Sequence, residues 1–388
     1  MTRQIENLEQ LSDSYIKEHN LVPVLDTSKE YGVVLEGGGA KGSYQIGVWK
    51  ALSDAGIKIK GVAGTSVGAL NGAMMASGEL DVAFKVWSEV SYSTVMDVDD
   101  ETFSDLLKGD LKVSEVLSQA WAVIKNGGVD ISPLRQLINE ILDEDKIRSS
   151  GREFFLVTFC LSEMKAMNLG LEDIPYGELE GFLLASAYLY GFKNEKIYGK
   201  HYFDGSIVSR LPLNLLLDKG YQDIIEIHLY RFALNTRLNV PKEANIYEVV
   251  PRVSLGNVVA FEKKKSLINM LVGYYDGLRL LYGLEGLIYY LLPMDDEEWF
   301  SKKMENLSKG KKMEIIVQLK LAVTSSDKEL FLAMLEASGK LLKIQKYHIY
   351  TIEELHEKVK ERYLIAEQKV LMGKIKEVPQ FVQYCCGL

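Results

Sequence analysis

The stretch Tyr31-Gly32-Val33-Val34-Leu35-Glu36-Gly37-Gly38-Gly39-Ala40-Lys41-Gly42 carries an apolar run into a glycine turn. Ile59-Lys60-Gly61-Val62-Ala63-Gly64-Thr65-Ser66-Val67-Gly68 does so again, one strand later. Each apolar run reads as a buried strand, and each turn leads into residues with helical spacing. The first turn predicts a nest of backbone N–H groups. The second is a G-x-S-x-G pentapeptide, which predicts a sharp strand-to-helix turn that holds Ser66 clear of the sheet. Gly64 and Gly68 stand where a Cβ would obstruct the approach of strand and helix. A helix starting at Val67 brings free N–H groups and the positive end of its dipole to Ser66. A nucleophile beside donors for an oxyanion is the minimum equipment for cutting an ester.

Gly37, Gly39 and Gly42 also fit the dinucleotide fingerprint G-x-G-x-x-G. That reading wants an acidic residue at the end of the second strand to hold a ribose. Here the second strand runs into Gly64-Thr65-Ser66, and the charges before it are Lys58 and Lys60. A Walker loop fails as well, because no Gly-Lys-Ser/Thr order occurs there.

Outward from these turns, strand-like and helix-like runs alternate. Strands are expected at Tyr31–Leu35, Ile59–Ala63, Glu153–Cys160 and Asp223–Leu229. Helices are expected at Lys41–Asp54, Val67–Ser77, Pro133–Leu142 and Leu213–Asp218. Gly56, Gly78 and Gly220 follow three of these helices, where a left-handed cap is wanted. Such alternation predicts an α/β fold with a mainly parallel sheet covered on both faces. The expected organisation is an N-terminal extension (1–29), a catalytic domain (30–232) and a mostly helical C-terminal region (233–388). In that last region Ser326 with Glu329, and Thr351 with Glu354, fit capping boxes, and Gly339 is expected to close the first of these helices.

The chain has 388 residues, 47% hydrophobic and 26% charged, an ordinary globular composition. A net charge of −9 argues against a general nucleic-acid binder. Three cysteines, two of them adjacent, predict a reducing compartment without a disulfide framework. Cys385-Cys386-Gly387-Leu388 formally fits a prenylation box, but Gly387 occupies a position that wants an aliphatic residue. The first residues lack the apolar core of a secretory signal, and no run is long and apolar enough to span a bilayer. These features set the expectation of a cytoplasmic protein.

Ser66 needs a base. His228 could supply one in a Ser–His–Asp esterase or thioesterase, but it lies inside a strand-like run. His348 and His356 read as surface residues of the tail, and His201 as at most a neighbour of the site. Asp204, in Tyr202-Phe203-Asp204-Gly205-Ser206, is either a plain turn residue or a carboxylate able to take the serine proton directly.

Taken together, Gly37 to Gly42, the Gly64–Gly68 elbow and Asp204-Gly205 resemble the patatin-like phospholipases over about residues 30–232. The resemblance implies a three-layer α/β/α sandwich and a lipid acyl hydrolase of the phospholipase A type that needs neither metal nor cofactor. It implies Ser66 and Asp204 as the catalytic dyad. It implies an oxyanion hole among Gly37, Gly38, Gly39 and Val67. Lys41 fills the family's basic slot, where it either meets a phosphate headgroup or is a solvated helix-start lysine. Ser206 replaces the usual third residue of the acidic motif. Tyr188 and Tyr190 stand where prolines are frequent near the mouth of the site, which makes them the expected substrate-binding residues and leaves acyl preference open.

The resemblance also admits an activating partner or a homo-oligomer, and a gated effector of the same fold. One tail helix has an apolar stripe of Leu267, Met270, Leu271, Tyr274, Tyr275, Leu278 and Leu281, after Lys263-Lys264-Lys265. It could lie on a membrane surface, or it could pack on the catalytic domain or a partner.

Overall fold

The computed structural model describes residues 12–100, 128–188, 192–193, 195–231, 240–372 and 377–387. These fall into two compact units, one running from Leu25 to Leu280 and the other made of Ser12–Val24 with Leu281–Leu388.

The first unit is built on strands β1 (Glu30–Leu35), β2 (Lys58–Thr65), β3 (Glu153–Cys160), β4 (Lys165–Gly170), β5 (Tyr202–Asp204), β6 (Asp223–Ile227) and β7 (Asn245–Val249). Six of them run in the order β4-β3-β2-β1-β6-β7, and β5 pairs with β3 off that path. Every pairing from β3 through β2, β1 and β6 to β7 is parallel, while β4 and β5 pair antiparallel with β3. The central strands are apolar along their length because both faces are covered. Val34, Ala63 and Phe155 on one face pack against Leu213 and Leu216 of the helix Leu213–Asp218. On the other face a Cβ added at Gly72 would touch Phe154, Val62 and Leu35, so the helix Val67–Ser77 lies almost on the sheet. Helix, sheet and helix make the three layers expected from the sequence.

Within this unit α1 is Ser43–Asp54, α2 Val67–Ser77, α3 Leu80–Glu89, α4 Ser132–Ile141, α5 Glu144–Ser149, α6 Leu179–Ser186 and α7 Leu213–Asp218, and all but the last two residues of α8, Lys263–Tyr282, belong to it. The glycines expected at helix ends take left-handed conformations, with φ of 74° at Gly56, 81° at Gly78 and 84° at Gly220. The helix expected from Lys41 instead opens with a separate 3-10 turn, Gly39–Gly42.

The sheet does not stop at residue 232. β7 pairs along β6, and α8 lies on α1. A Cβ on Gly47 would come within 1.9 Å of the Met270 carbonyl oxygen, and one on Gly273 within 2.0 Å of the Tyr44 carbonyl oxygen. Two bare backbones therefore pass at close range. Tyr44 adds a hydrogen bond from its hydroxyl to Asp276 at 3.0 Å. Met270, Leu271, Tyr274, Tyr275 and Leu278 are buried, so the α8 stripe is core and not a membrane face.

In the second unit a small parallel pair, Tyr290–Leu291 with Ile349–Tyr350, sits among helices whose core includes Phe300, Met304, Phe331, Met334, Leu335, Leu355 and Val359. Both capping boxes form, Ser326 with Glu329 and Thr351 with Glu354. Gly339 does not end its helix, which continues to Leu341. A Cβ there would sit 3.0 Å from the Tyr289 hydroxyl, so this glycine makes room for a ring. His356 is not a surface residue. It is buried, with Nε2 2.7 Å from the Cys385 carbonyl oxygen, and burial lowers its pKa. All three cysteines are free.

Candidate active site

Strand register brings Ser66 and Asp204 together. β2 ends at Thr65, which faces Val157 on β3, and β5 takes up the same edge of β3 with Asp204 facing Thr158. Because β4 occupies the other edge along 155–160, β5 continues where β2 leaves off. The first residue after β2 and the last residue of β5 thus meet at one point of the sheet.

The elbow at Ser66 is strained in the way its motif requires. Ser66 holds φ 55° and ψ −126°, a region that residues with a side chain seldom take. A Cβ on Gly64 would lie 2.2 Å from the Gly68 carbonyl oxygen, and one on Gly68 2.3 Å from that of Leu35. Only glycine fits either place. Ser186, at the end of α6, braces the turn. Its hydroxyl accepts the Ser66 N–H at 2.9 Å and donates to the Val157 carbonyl at 2.7 Å. Thr65 donates to the Ser209 carbonyl at 2.9 Å.

Asp204 is buried, and burial pushes its carboxyl above the usual aspartate range. The Ser66 hydroxyl, the Ser206 N–H and the Ser206 hydroxyl each pull it part of the way back. Oδ1 accepts the Ser206 N–H at 2.7 Å. Oδ2 is buried and completes no hydrogen bond among the described residues, and the Ser66 hydroxyl is near enough to the carboxyl to favour its charged form. A carboxylate held with one oxygen fixed and the other free beside a serine is arranged to accept a proton.

The glycine loop is held from a distance. Gly37 donates its N–H to the Arg210 carbonyl at 2.9 Å, so it has none to offer an oxyanion and leaves the predicted set. Gly38 packs its Cα side against Leu229, and Gly39 has φ 55° with the Val258 carbonyl oxygen 2.1 Å from where a Cβ would be. Ala40 donates to that same carbonyl at 2.7 Å. No carbonyl among the described residues takes the N–H of Gly38, Gly39 or Val67. Asn71 ties the loop to α2: its amide donates to the Gly42 carbonyl at 3.0 Å and to Gln45 at 2.8 Å, and its oxygen accepts from Trp87 at 2.9 Å.

Ser66, Gly39 and Val67 line a cavity of about 80 Å³ whose wall is otherwise almost wholly apolar. Three expected contacts are elsewhere. Lys41 is buried, with its ammonium 3.5 Å from the centre of the Tyr230 ring, and desolvation lowers its pKa against the pull of Glu36. It is neither a solvated lysine nor part of the cavity wall. Tyr188 is buried too. Its hydroxyl donates to the Lys193 carbonyl and accepts the Glu195 N–H, while its own carbonyl takes the Asp204 N–H at 2.9 Å. Tyr188 thus steadies the acid and does not touch the cavity, whose wall here is Ala187 and Phe192. Tyr190 lies outside the described residues.

Behind the loop, Arg210 pairs with buried Glu36 at 3.3 Å, and the Glu36 carboxylate accepts the Leu229 N–H at 2.6 Å. Burial raises the pKa of Glu36. His228 points its Nε2 at Glu226, 3.3 Å away, and at Glu248, 3.9 Å away. These three residues, the described group best placed to hold a metal, have donor atoms within 4.8 Å of one another. His228 does not line the Ser66 cavity, so the Ser–His–Asp alternative has no histidine in place.

Sequence reasoning missed Ser186, Asn71 and Val258. Asn71 could have been suspected, as a lone amide in the otherwise apolar and small-residue start of α2. Val258 carries no signal, because only its carbonyl acts.

Residues 33–217 match the family described as Patatin-like phospholipase. Patatin-like phospholipase domain-containing protein 7 of Rattus norvegicus is 36% identical over 205 residues, 52% of this chain and 14% of that protein. Lysophospholipase nte1 of Aspergillus terreus is 56% identical over 48 residues, 12% of this chain and 3% of that protein. The chain therefore spans only a small part of the length of the curated relatives it matches. Among solved structures, VipD from Legionella pneumophila aligns with a TM-score of 0.40 and 13% identity over 92% of this chain and 90% of that one, a likeness too loose to add to the fold described above. Among the described residues no helix is long and apolar enough to cross a membrane.

Proposed function

We propose that this protein, whose residues 33–217 match the family described as Patatin-like phospholipase, hydrolyses fatty-acyl esters of phospholipids through Ser66 and Asp204. The observation that carries the reading is the buried Asp204 carboxyl, with Oδ2 in no hydrogen bond among the described residues, close to the strained Ser66 in the wall of an apolar cavity. Asp204 takes the Ser66 proton as Oγ attacks the ester carbonyl carbon. The oxyanion that forms is met by the N–H groups of Gly39 and Val67, with Gly38 adjacent. As the tetrahedral intermediate collapses, the bond to the lysolipid oxygen breaks and Asp204 returns the proton to that oxygen. Water, with Asp204 again as base, then frees the fatty acid from Ser66.

The raised pKa of Asp204 suits this role, since a stronger base takes a serine proton more readily. The cavity wall offers an acyl chain burial worth about 0.8 kcal/mol per methylene.

Incubation with mixed phospholipids, followed by mass spectrometry of the products, tests the reading. Free fatty acids and lysophospholipids are expected from the native chain and neither from Ser66→Ala. Equal products from both would overturn it.

A further inference from the structure

We propose that the Ser66 cavity is an acyl channel laid along one face of α2, and that Met74, with Leu70, Ile138 and Ile141, is the partition that sets the longest chain it accepts. This rests on the reading of Ser66 as the nucleophile.

Val67, Leu70 and Met74 recur at intervals of three and four, so they share one helical face, and all three line the Ser66 cavity. At a rise of 1.5 Å per residue, Met74 stands about 12 Å along the helix from Ser66. A second cavity, of about 10 Å³, is lined by Ala73 and Ser77 of α2 and by Ile147 and Leu183. Leu70, Met74, Ile138 and Ile141 line both cavities. Side chains that face two cavities stand between them. Ser77 carries the second space about 5 Å beyond Met74 along the same helix.

The partition is made of ordinary aliphatic side chains from α2 and α4, with no ion pair or hydrogen bond across it. Met74 is its unbranched member, the type of side chain that most readily yields its place. A straight chain entering at Ser66 gains with each methylene until its end meets Met74, and a longer one must bend or withdraw its ester from Ser66. The second cavity is space that such a chain could enter if Met74 were shortened.

The test is the rate at which straight-chain alkyl fluorophosphonates of increasing length label Ser66 in the whole protein, read by intact mass. In the native protein the rate should climb about fourfold per methylene and then break. With Met74→Ala the break should move to longer chains, and the first length past the native break should label at least about fourfold faster relative to the shortest probe. Filling the second cavity with Ser77→Leu in the Met74→Ala background should return the break to its native position. Ile141 is only half-buried, so Ile141→Ala gives a second opening variant should Met74→Ala not fold. A break at the same length in native and opened proteins, with Ser66 still labelled, would overturn the partition and leave the nucleophile standing. Absence of label on Ser66 at every length would instead overturn the nucleophile, and the channel with it.

Discussion

The elbow at Gly64–Gly68 and the loop at Gly37–Gly42 are both glycine turns at strand ends, yet they are held by different means. Each elbow glycine is pressed against backbone close by: Gly64 against Gly68, and Gly68 against Leu35 of the neighbouring strand. The loop is held by residues remote in sequence, Arg210, Leu229 and Val258. The elbow is thus part of the sheet's own packing, whereas the loop is positioned by whatever surrounds it. A geometry enforced by the core should fail together with the core. One enforced from outside can fail alone and take only catalysis with it.

Gly68→Ala should break the first half of that contrast. Its Cβ meets the Leu35 carbonyl oxygen, backbone against backbone in the centre of the sheet, with no flexible end to move. Loss of the folded unit is expected, seen as loss of a cooperative transition in thermal unfolding. A folded, active Gly68→Ala would show that the elbow is no more rigid than the loop.

Gly39→Ala should break the second half without the first. It adds a Cβ at positive φ against the Val258 carbonyl, which lies in a segment without regular structure that can give way. The protein should fold, and kcat should fall by about 10²–10³ as one oxyanion donor is displaced. A fall of tenfold or less would remove Gly39 from the oxyanion hole.

Asp204→Asn sharpens the comparison at the point where both turns meet the acid. A carboxyl whose pKa is raised on folding binds its proton more tightly in the native state, so its stabilising share is present below the ordinary aspartate range and is lost as pH rises through the raised value. An amide carries no such loss. Asp204→Asn should therefore be inactive but more stable than the native protein at neutral pH, with the gap closing as pH falls below the ordinary aspartate range. Urea unfolding at several pH values measures it. A variant that is less stable at neutral pH would mean that Asp204 is held for structure.

The smallest effect belongs to Tyr188→Phe. Losing a hydroxyl bonded to the 193–195 backbone should cost about 1 kcal/mol and leave chain-length preference where it was. A changed preference would restore Tyr188 to the substrate site.

The same contrast explains what was legible in the sequence. Strands β1, β2, β3 and β6 and helix α2 could be read to within about two residues, because burial on both faces writes continuous apolar runs and Gly78 marks a helix end, whereas β4, β5 and β7 could not. Ser66 and Asp204 could be singled out as candidates because motif chemistry is local. Gly37, Lys41 and Tyr188 were misassigned because their partners are distant: the Arg210 carbonyl, the Tyr230 ring and the backbone at 193–195. In each case the misleading residue type was right for the role, and only the fold shows its N–H, ammonium or hydroxyl already engaged. β7 and α8 were assigned to the helical tail because helical spacing dominates the sequence after residue 232 and hides a short strand.

The central claim is a serine activated by an aspartate and by no histidine. Its most direct test is fluorophosphonate labelling of Ser66 in Asp204→Asn and in His228→Gln, each first shown to be folded. The account requires that labelling fall to background in Asp204→Asn and persist in His228→Gln. Labelling that survives in Asp204→Asn, or vanishes in a folded His228→Gln, would contradict it.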